Sequence, residues 1–162
     1  MKFIDKFRKF YAQSLSELSV LPITLTRLLL AWGFYTTGKG KLAHIDKIID
    51  YFTTLKIPHP ELQAPFVAGL EYYGGTLLLV GLATRPTAAL LFCTMVIALL
   101  TADHEDLVAT LSSSSDKFPV EITSFTYMLL LGWLVVYGSG VLSLDADIAF
   151  LCSKMRGKSA EE

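Results

Sequence analysis

Four apolar runs crowd into 162 residues, at about 21–38, 62–82, 86–102 and 119–137. At their hearts stand PITLTRLLLAWGFYTTG, PFVAGLEYYGGTLLLVGL, PTAALLFCTMVIALLT and PVEITSFTYMLLLGWLVVY. A bilayer core about 30 Å thick takes about 20 helical residues; the third run is the shortest against that measure. The runs are continuous and do not alternate with period two, which argues against strands. Four such helices leave little polar sequence to make a soluble surface. A hydrophobic content of 52% and a mean hydropathy of +0.49 agree. The pattern predicts an all-α fold: an integral membrane four-helix bundle over residues 19–145.

Helix punctuation marks the ends of the runs. Pro22, Pro65, Pro86 and Pro119 stand near their starts, where a missing N–H is tolerated. Thr84 precedes Arg85-Pro86 and suits an N-cap. Gly38, Gly81 and Gly138 stand near the ends, where glycine suits a left-handed C-cap.

Two further segments have helical spacing without being spans. In residues 1–18, Phe3, Ile4, Phe7, Phe10, Tyr11, Leu15 and Leu18 alternate with Lys2, Lys6, Arg8 and Lys9. A basic amphipathic helix of this kind lies on an anionic membrane surface. It lacks the form of a signal peptide, since the apolar run that follows contains Arg27 and no clear cleavage site. Between the first two spans, Leu42, Ile45, Ile48, Ile49, Phe52 and Leu55 share one face of a second amphipathic helix. That helix is expected to rest on the opposite membrane surface or to cap the bundle there.

Lysine and arginine set the orientation. With the N-terminus inside, the inner side holds Lys2, Lys6, Arg8, Lys9, Arg85, Lys154, Arg156 and Lys158, against Lys39, Lys41, Lys47, Lys56 and Lys117 outside. This favours both termini, including the tail 146–162, in the cytoplasm. The net charge of −1 and the absence of a basic patch argue against a nucleic-acid partner. Cys93 and Cys152 form neither a CxxC pair nor a metal-ligand spacing.

Arg27 and Glu71 interrupt otherwise apolar spans. A lone charge there is costly, so each should face inward and find a partner. From span centres and a rise of about 1.5 Å per residue, their axial offset comes to roughly 6 Å. That offset predicts an Arg27–Glu71 pair, either fixing helix register or lining a polar cavity for a quinone head group, a proton or a small substrate. Gly74 and Gly75 follow Glu71 on the same face and suit close helix packing. Glu121 falls in the first turn of the fourth span, where a helix N-terminus favours a carboxylate. Asp103, His104, Glu105 and Asp106 read as a solvated acidic loop rather than a cation site.

Three stretches carry a resemblance to a known family. RLLLAWGFYTTGKGKL supplies Arg27, Phe34, Gly38, Lys41 and Leu42; PFVAGLEYYGGTLLLVGLATR supplies Glu71, Gly74, Gly75, Gly81, Thr84 and Arg85; GSGVLSLD closes the fourth helix. Together they resemble the DoxX family of small bacterial membrane proteins, from about Arg27 to Asp145. The chain departs from the family at Thr37, where many members have histidine. The resemblance implies a four-helix protein of the bacterial inner membrane. Some relatives belong to thiosulfate:quinone or quinol oxidase systems, or partner oxidative-stress enzymes.

The expected function is therefore a membrane subunit or accessory of a quinone- or thiol-linked redox system. Its partners would be the bilayer, a redox-enzyme subunit or a second copy of itself. No haem ligand pair, flavin motif or paired thiol marks the chain as a complete oxidoreductase, and no catalytic residue is assigned. A small transporter or proton-coupled carrier using Arg27 and Glu71, and a scaffold without chemistry, are the competing readings.

Overall fold

The computed structural model describes residues 20–112, 118–140 and 143–158. The amphipathic helix expected at 1–18 lies outside the described residues. Among them the chain forms seven α-helices and no strand: α1 Val20–Ala43, α2 Ile45–Thr54, α3 Pro60–Val80, α4 Thr84–Thr101, α5 His104–Leu111, α6 Thr123–Tyr137 and α7 Leu144–Lys158. A 3₁₀ turn, Pro119–Glu121, leads into α6.

Helices α1 and α3 form the most extensive contact, followed by α4 with α6; α3 also packs on α4, and α1 on α6. Leu30, Ala31 and Phe34 of α1 meet Leu78 of α3, Ala88, Leu91 and Met95 of α4, and Leu131 and Leu134 of α6 in one buried core. Outside this core the long helices remain apolar. Leu29, Trp32, Phe66, Leu90, Ile97, Trp133 and Val136 are all exposed. By length and composition one helix among the described residues, α4, can cross a membrane, while α6 is apolar but has 15 residues. The run that reads as shortest thus meets that measure, because its helix begins at Thr84 rather than Pro86 and reaches 18 residues.

The α1–α3 contact is unusually close. A β-carbon at Gly38 would collide with the backbone of Tyr72, and one at Gly75 with the backbone of Tyr35. Only glycine lets the two backbones approach this far. Gly38 is therefore a crossing residue and not the C-cap expected from its place in the sequence. Helix α1 runs through it for five further residues, to Ala43. Gly81 does cap α3, in the left-handed conformation at φ +70°, with the Leu82 N–H bonded to the Leu77 carbonyl.

Helix α2 follows after the single residue His44 and packs on α3. Ile45, Ile48, Ile49 and Phe52 are half-buried, as the amphipathic spacing predicts, whereas Leu42 belongs to the end of α1 and is exposed. Asp103–Asp106 is not the open loop read from the sequence: His104–Leu111 is helical, and its first turn holds Glu105 and Asp106.

The crossing glycines give a stability test. Gly38→Leu or Gly75→Leu should destabilise the protein by about 3 kcal/mol or more, since the obstacle is backbone. Gly40→Leu, a position with nothing within 4 Å, should change little. Thermal unfolding in detergent separates the two; equal midpoints would refute the close crossing.

Candidate functional site

The crossing sets the axial register of α1 against α3. The chains run antiparallel, with Gly38 opposite Glu71 and Tyr72, Ala31 and Tyr35 opposite Gly75, and Arg27 against Gly81. Arg27 therefore sits near the residue-80 end of α3, about ten residues from Glu71, or roughly 15 Å along the axis. The expected Arg27–Glu71 pair does not form. The offset of roughly 6 Å placed each residue from the middle of its run; the glycine crossing fixes the register instead.

Each charge finds a different partner. Lys41, one turn beyond Gly38 on the same face of α1, donates from Nζ to Glu71 Oε1 at 2.6 Å. The Glu71 side chain is 2% exposed and that of Lys41 26%. A short charge-assisted bond of this kind offsets part of the cost of burying the carboxylate. Ending the first span at Gly38 leaves Lys41 outside it, among the outer-side lysines; the helix instead continues to Ala43. Its signal was the spacing Arg27, Ala31, Phe34, Gly38, Lys41, which is one continuous helical stripe.

Arg27 is 3% exposed. Its Nη1 donates to the carbonyls of Leu78 and Leu79, at 2.8 and 3.2 Å. Both carbonyls belong to the last turn of α3, where helical N–H partners run out; that of Leu78 also accepts from the Gly81 N–H at 3.2 Å. The arginine thus closes one end of the α1–α3 pair and the lysine–glutamate pair the other. Fourteen residues of α1 separate them, about 21 Å.

A third interaction ties the chain's last described helix to the same end as Arg27. The Asp145 carboxylate accepts from the backbone N–H of Ala83 at 2.7 Å and of Thr84 at 2.9 Å. The Asp145 N–H in turn donates to the Gly81 carbonyl at 3.0 Å. Thr84 is therefore not the side-chain cap of α4; it is buried, and a residue 61 positions away supplies the cap. This grip also steadies Ala83, whose φ of +50° is rare outside glycine. Arg85 is exposed and donates from Nη2 to the Val136 carbonyl at 3.2 Å. Glu121 is exposed and accepts from the Phe118 N–H at 3.3 Å, a local capping contact. Gly74 faces the Leu91 methyl groups of α4 while Gly75 faces α1. Of the residues read from the sequence, then, Gly38, Lys41, Glu71 and Gly75 come together at one site; Arg27, Thr84 and Arg85 gather at the other end of α3; Glu121 joins neither.

Beside the Lys41–Glu71 pair lies a cavity of about 340 Å³. Phe34, Val67 and Met95 give it apolar walls, and Ile48, Phe52 and Leu55 bring α2 and its end across it. Thr37 and Tyr127 add hydroxyls, and the Tyr127 hydroxyl lies 2.7 Å from where a β-carbon would stand on Gly33. A mainly apolar pocket of this size with a few convergent polar groups is the usual form of a small-molecule site. Glu71 Oε2 is buried and has no hydrogen-bond partner among the described residues.

The family model that matches this chain is DoxX, over residues 23–104, which runs from α1 to the start of α5. The chain belongs to the DoxX family. The matched segment of this DoxX protein holds both partners of the buried pair, Arg27 and the crossing glycines; Asp145 lies beyond it. A Bacillus subtilis (strain 168) protein named "Putative oxidoreductase CatD" is 29% identical over 123 residues, 75% of this chain and 82% of that protein. No solved structure matches.

Two substitution sets test the site's energetics. Lys41→Met strands the Glu71 carboxylate and should cost about 3–5 kcal/mol, while the double variant Lys41→Met/Glu71→Met should regain most of that loss. Non-additivity in thermal unfolding is the expected signature, and strict additivity would show that the pair does not interact. Asp145→Ala removes a distant cap and should cost about 1–2 kcal/mol in the same measurement.

Proposed function

We propose that this DoxX protein is an integral membrane component of a redox system and that its cavity takes a quinone-type head group. The observation that carries the reading is the Lys41–Glu71 ion pair, buried at the wall of an apolar cavity of about 340 Å³. Ionisable groups inside a membrane bundle mark ligand or proton sites, and the apolar walls suit a ring or an isoprenoid stem. The name borne by the Bacillus relative supports a redox association.

Several features support the membrane reading. Helices α1, α3 and α4 are about 36, 32 and 27 Å long at 1.5 Å per residue, near the thickness of a bilayer core. Large apolar side chains cover their outward faces and those of α6, as lipid-facing helices require. We place both termini on the cytoplasmic side, from the lysine and arginine balance. In that orientation the Arg27 end is inner, and the Lys41–Glu71 cavity lies toward the outer end beneath α2. The four long helices then form a four-helix membrane bundle, and a partner subunit handles the electrons.

The test is purification in mild detergent from carbonate-washed membranes. Co-purifying proteins are read by mass spectrometry and quinones by lipid extraction. Wild type should retain a quinone or a redox subunit in stoichiometric amount, and Lys41→Met/Glu71→Met should lose it while staying folded. Release of the protein by carbonate would refute the membrane reading. A wild type free of quinone and partner, with the double variant equally functional in cells, would make the pair structural and the protein a scaffold.

A further inference from the structure

Arg85, at the opposite end of the molecule from the cavity, is an exposed cation, and among the described residues no carboxylate pairs with it. It is nevertheless held in place. Its Nη2 donates to the Val136 carbonyl at 3.2 Å, and its guanidinium lies across Gly138, where a β-carbon would stand 3.2 Å from Nε. Gly138 has φ +81° and ψ −158°, a conformation that is in practice glycine's alone, so the backbone beside the guanidinium stays bare. The Val136 carbonyl takes one of the five N–H donors of the guanidinium and leaves the rest of the fork for an acceptor.

Arg85 lines an open pocket of about 540 Å³ between the α3–α4 turn and the segment that follows α6. Asp145 lines it too, but both its oxygens already accept from the Ala83 and Thr84 N–H groups, and Arg27 lies within electrostatic reach of it. Two arginines outweigh one carboxylate, so the pocket favours an anion. A planar guanidinium fork suits a phosphate in particular. The level of the pocket says where such a phosphate would come from. Helix α3 ends at Val80, α4 begins at Thr84 and α6 ends at Tyr137, all beside it. Lipid-exposed irregular backbone does not occur inside the hydrocarbon, which puts this turn at headgroup level. Toward the membrane core from there, Leu90 of α4 and Trp133, Val136 and Tyr137 of α6 are exposed, with Trp133 and Tyr137 stacked at 4.3 Å. Tryptophan and tyrosine favour that boundary. An anion seat above and apolar helix faces below match a phospholipid, whereas a free phosphate would leave those faces uncovered.

We propose that this pocket seats the headgroup phosphate of a membrane phospholipid, with Arg85 gripping the phosphate and the acyl chains lying against α4 and α6. This rests on the membrane reading above. It is independent of which end faces the cytoplasm and of what the Lys41–Glu71 cavity holds.

The test uses the full chain, delipidated in mild detergent, with three probes: dioleoylphosphatidylglycerol, dioleoylglycerol and inorganic phosphate. Native mass spectrometry counts bound lipid, and thermal unfolding reads the stabilisation that binding brings. Dioleoylphosphatidylglycerol should bind at one molecule per chain and raise the unfolding midpoint of wild type; the other two probes should do neither. Arg85→Gln should weaken that binding about tenfold or more, the loss expected for a charge-assisted contact. Lys154→Gln removes another exposed cation, on α7, and should leave binding unchanged. Should Arg85→Gln fail to fold, Arg85→Lys carries the test; it keeps the charge without the fork and should weaken binding about threefold. Undiminished lipid binding by the Arg85 variant, or an equal loss in Lys154→Gln, would overturn the proposal. So would equal stabilisation by dioleoylglycerol, which makes the phosphate irrelevant, or by inorganic phosphate, which makes the lipid so. Release of the protein from membranes by carbonate would overturn the membrane reading itself; retention there without binding of the phospholipid probe would overturn this site alone.

Discussion

Much of this molecule depends on how closely two helices approach. Gly38 and Gly75 remove the side chains that would hold α1 and α3 apart, and backbone meets backbone at both positions. At so short a range, dispersion between the two backbones acts together with the buried polar contacts. Once the crossing is fixed, so is the axial register, and with it the partners of Arg27, Lys41 and Glu71. Lys41 reaches Glu71 and Arg27 reaches the end of α3. A slide of one helical turn, about 5.4 Å, would break both.

The two polar contacts have different chemical characters. Arg27 donates to carbonyls in the last turn of a helix, a role for which a guanidinium with five donors is well shaped. It joins the α3–α4 turn and the Asp145 clasp in one closed end, where α7 is anchored. The other end is looser. Lys41 and Glu71 satisfy one carboxylate oxygen, and the space beside them is bounded by α2, which buries none of its residues fully. The polar clasps gather at the first end and the cavity lies at the second.

The DoxX family match covers the first four described helices and ends just inside the fifth. It includes the helix pair and the cavity pair, but not the aspartate that caps α4 from 61 residues away. The GSGVLSLD stretch now has a physical account. It brings Asp145 back to the start of α4, where two backbone N–H groups need an acceptor.

Hydrophobic run length and punctuation, both local properties, determined much of the secondary structure from the sequence alone. They placed four long helices, the amphipathic α2, the capping glycine Gly81 and the fact that Glu71 must be buried and paired. They could not determine which charge pairs with it. That choice depends on whether α1 stops at Gly38 or continues through it, and a glycine near the end of an apolar run fits either outcome. Tertiary structure decided it, because α3 supplies the backbone surface that only a helical Gly38 can accept. The cap of α4 was hidden for the same reason: Asp145 and Thr84 become neighbours only when the chain has folded. Short-range patterns fix elements; register and long-range caps follow from packing, which no window of sequence contains.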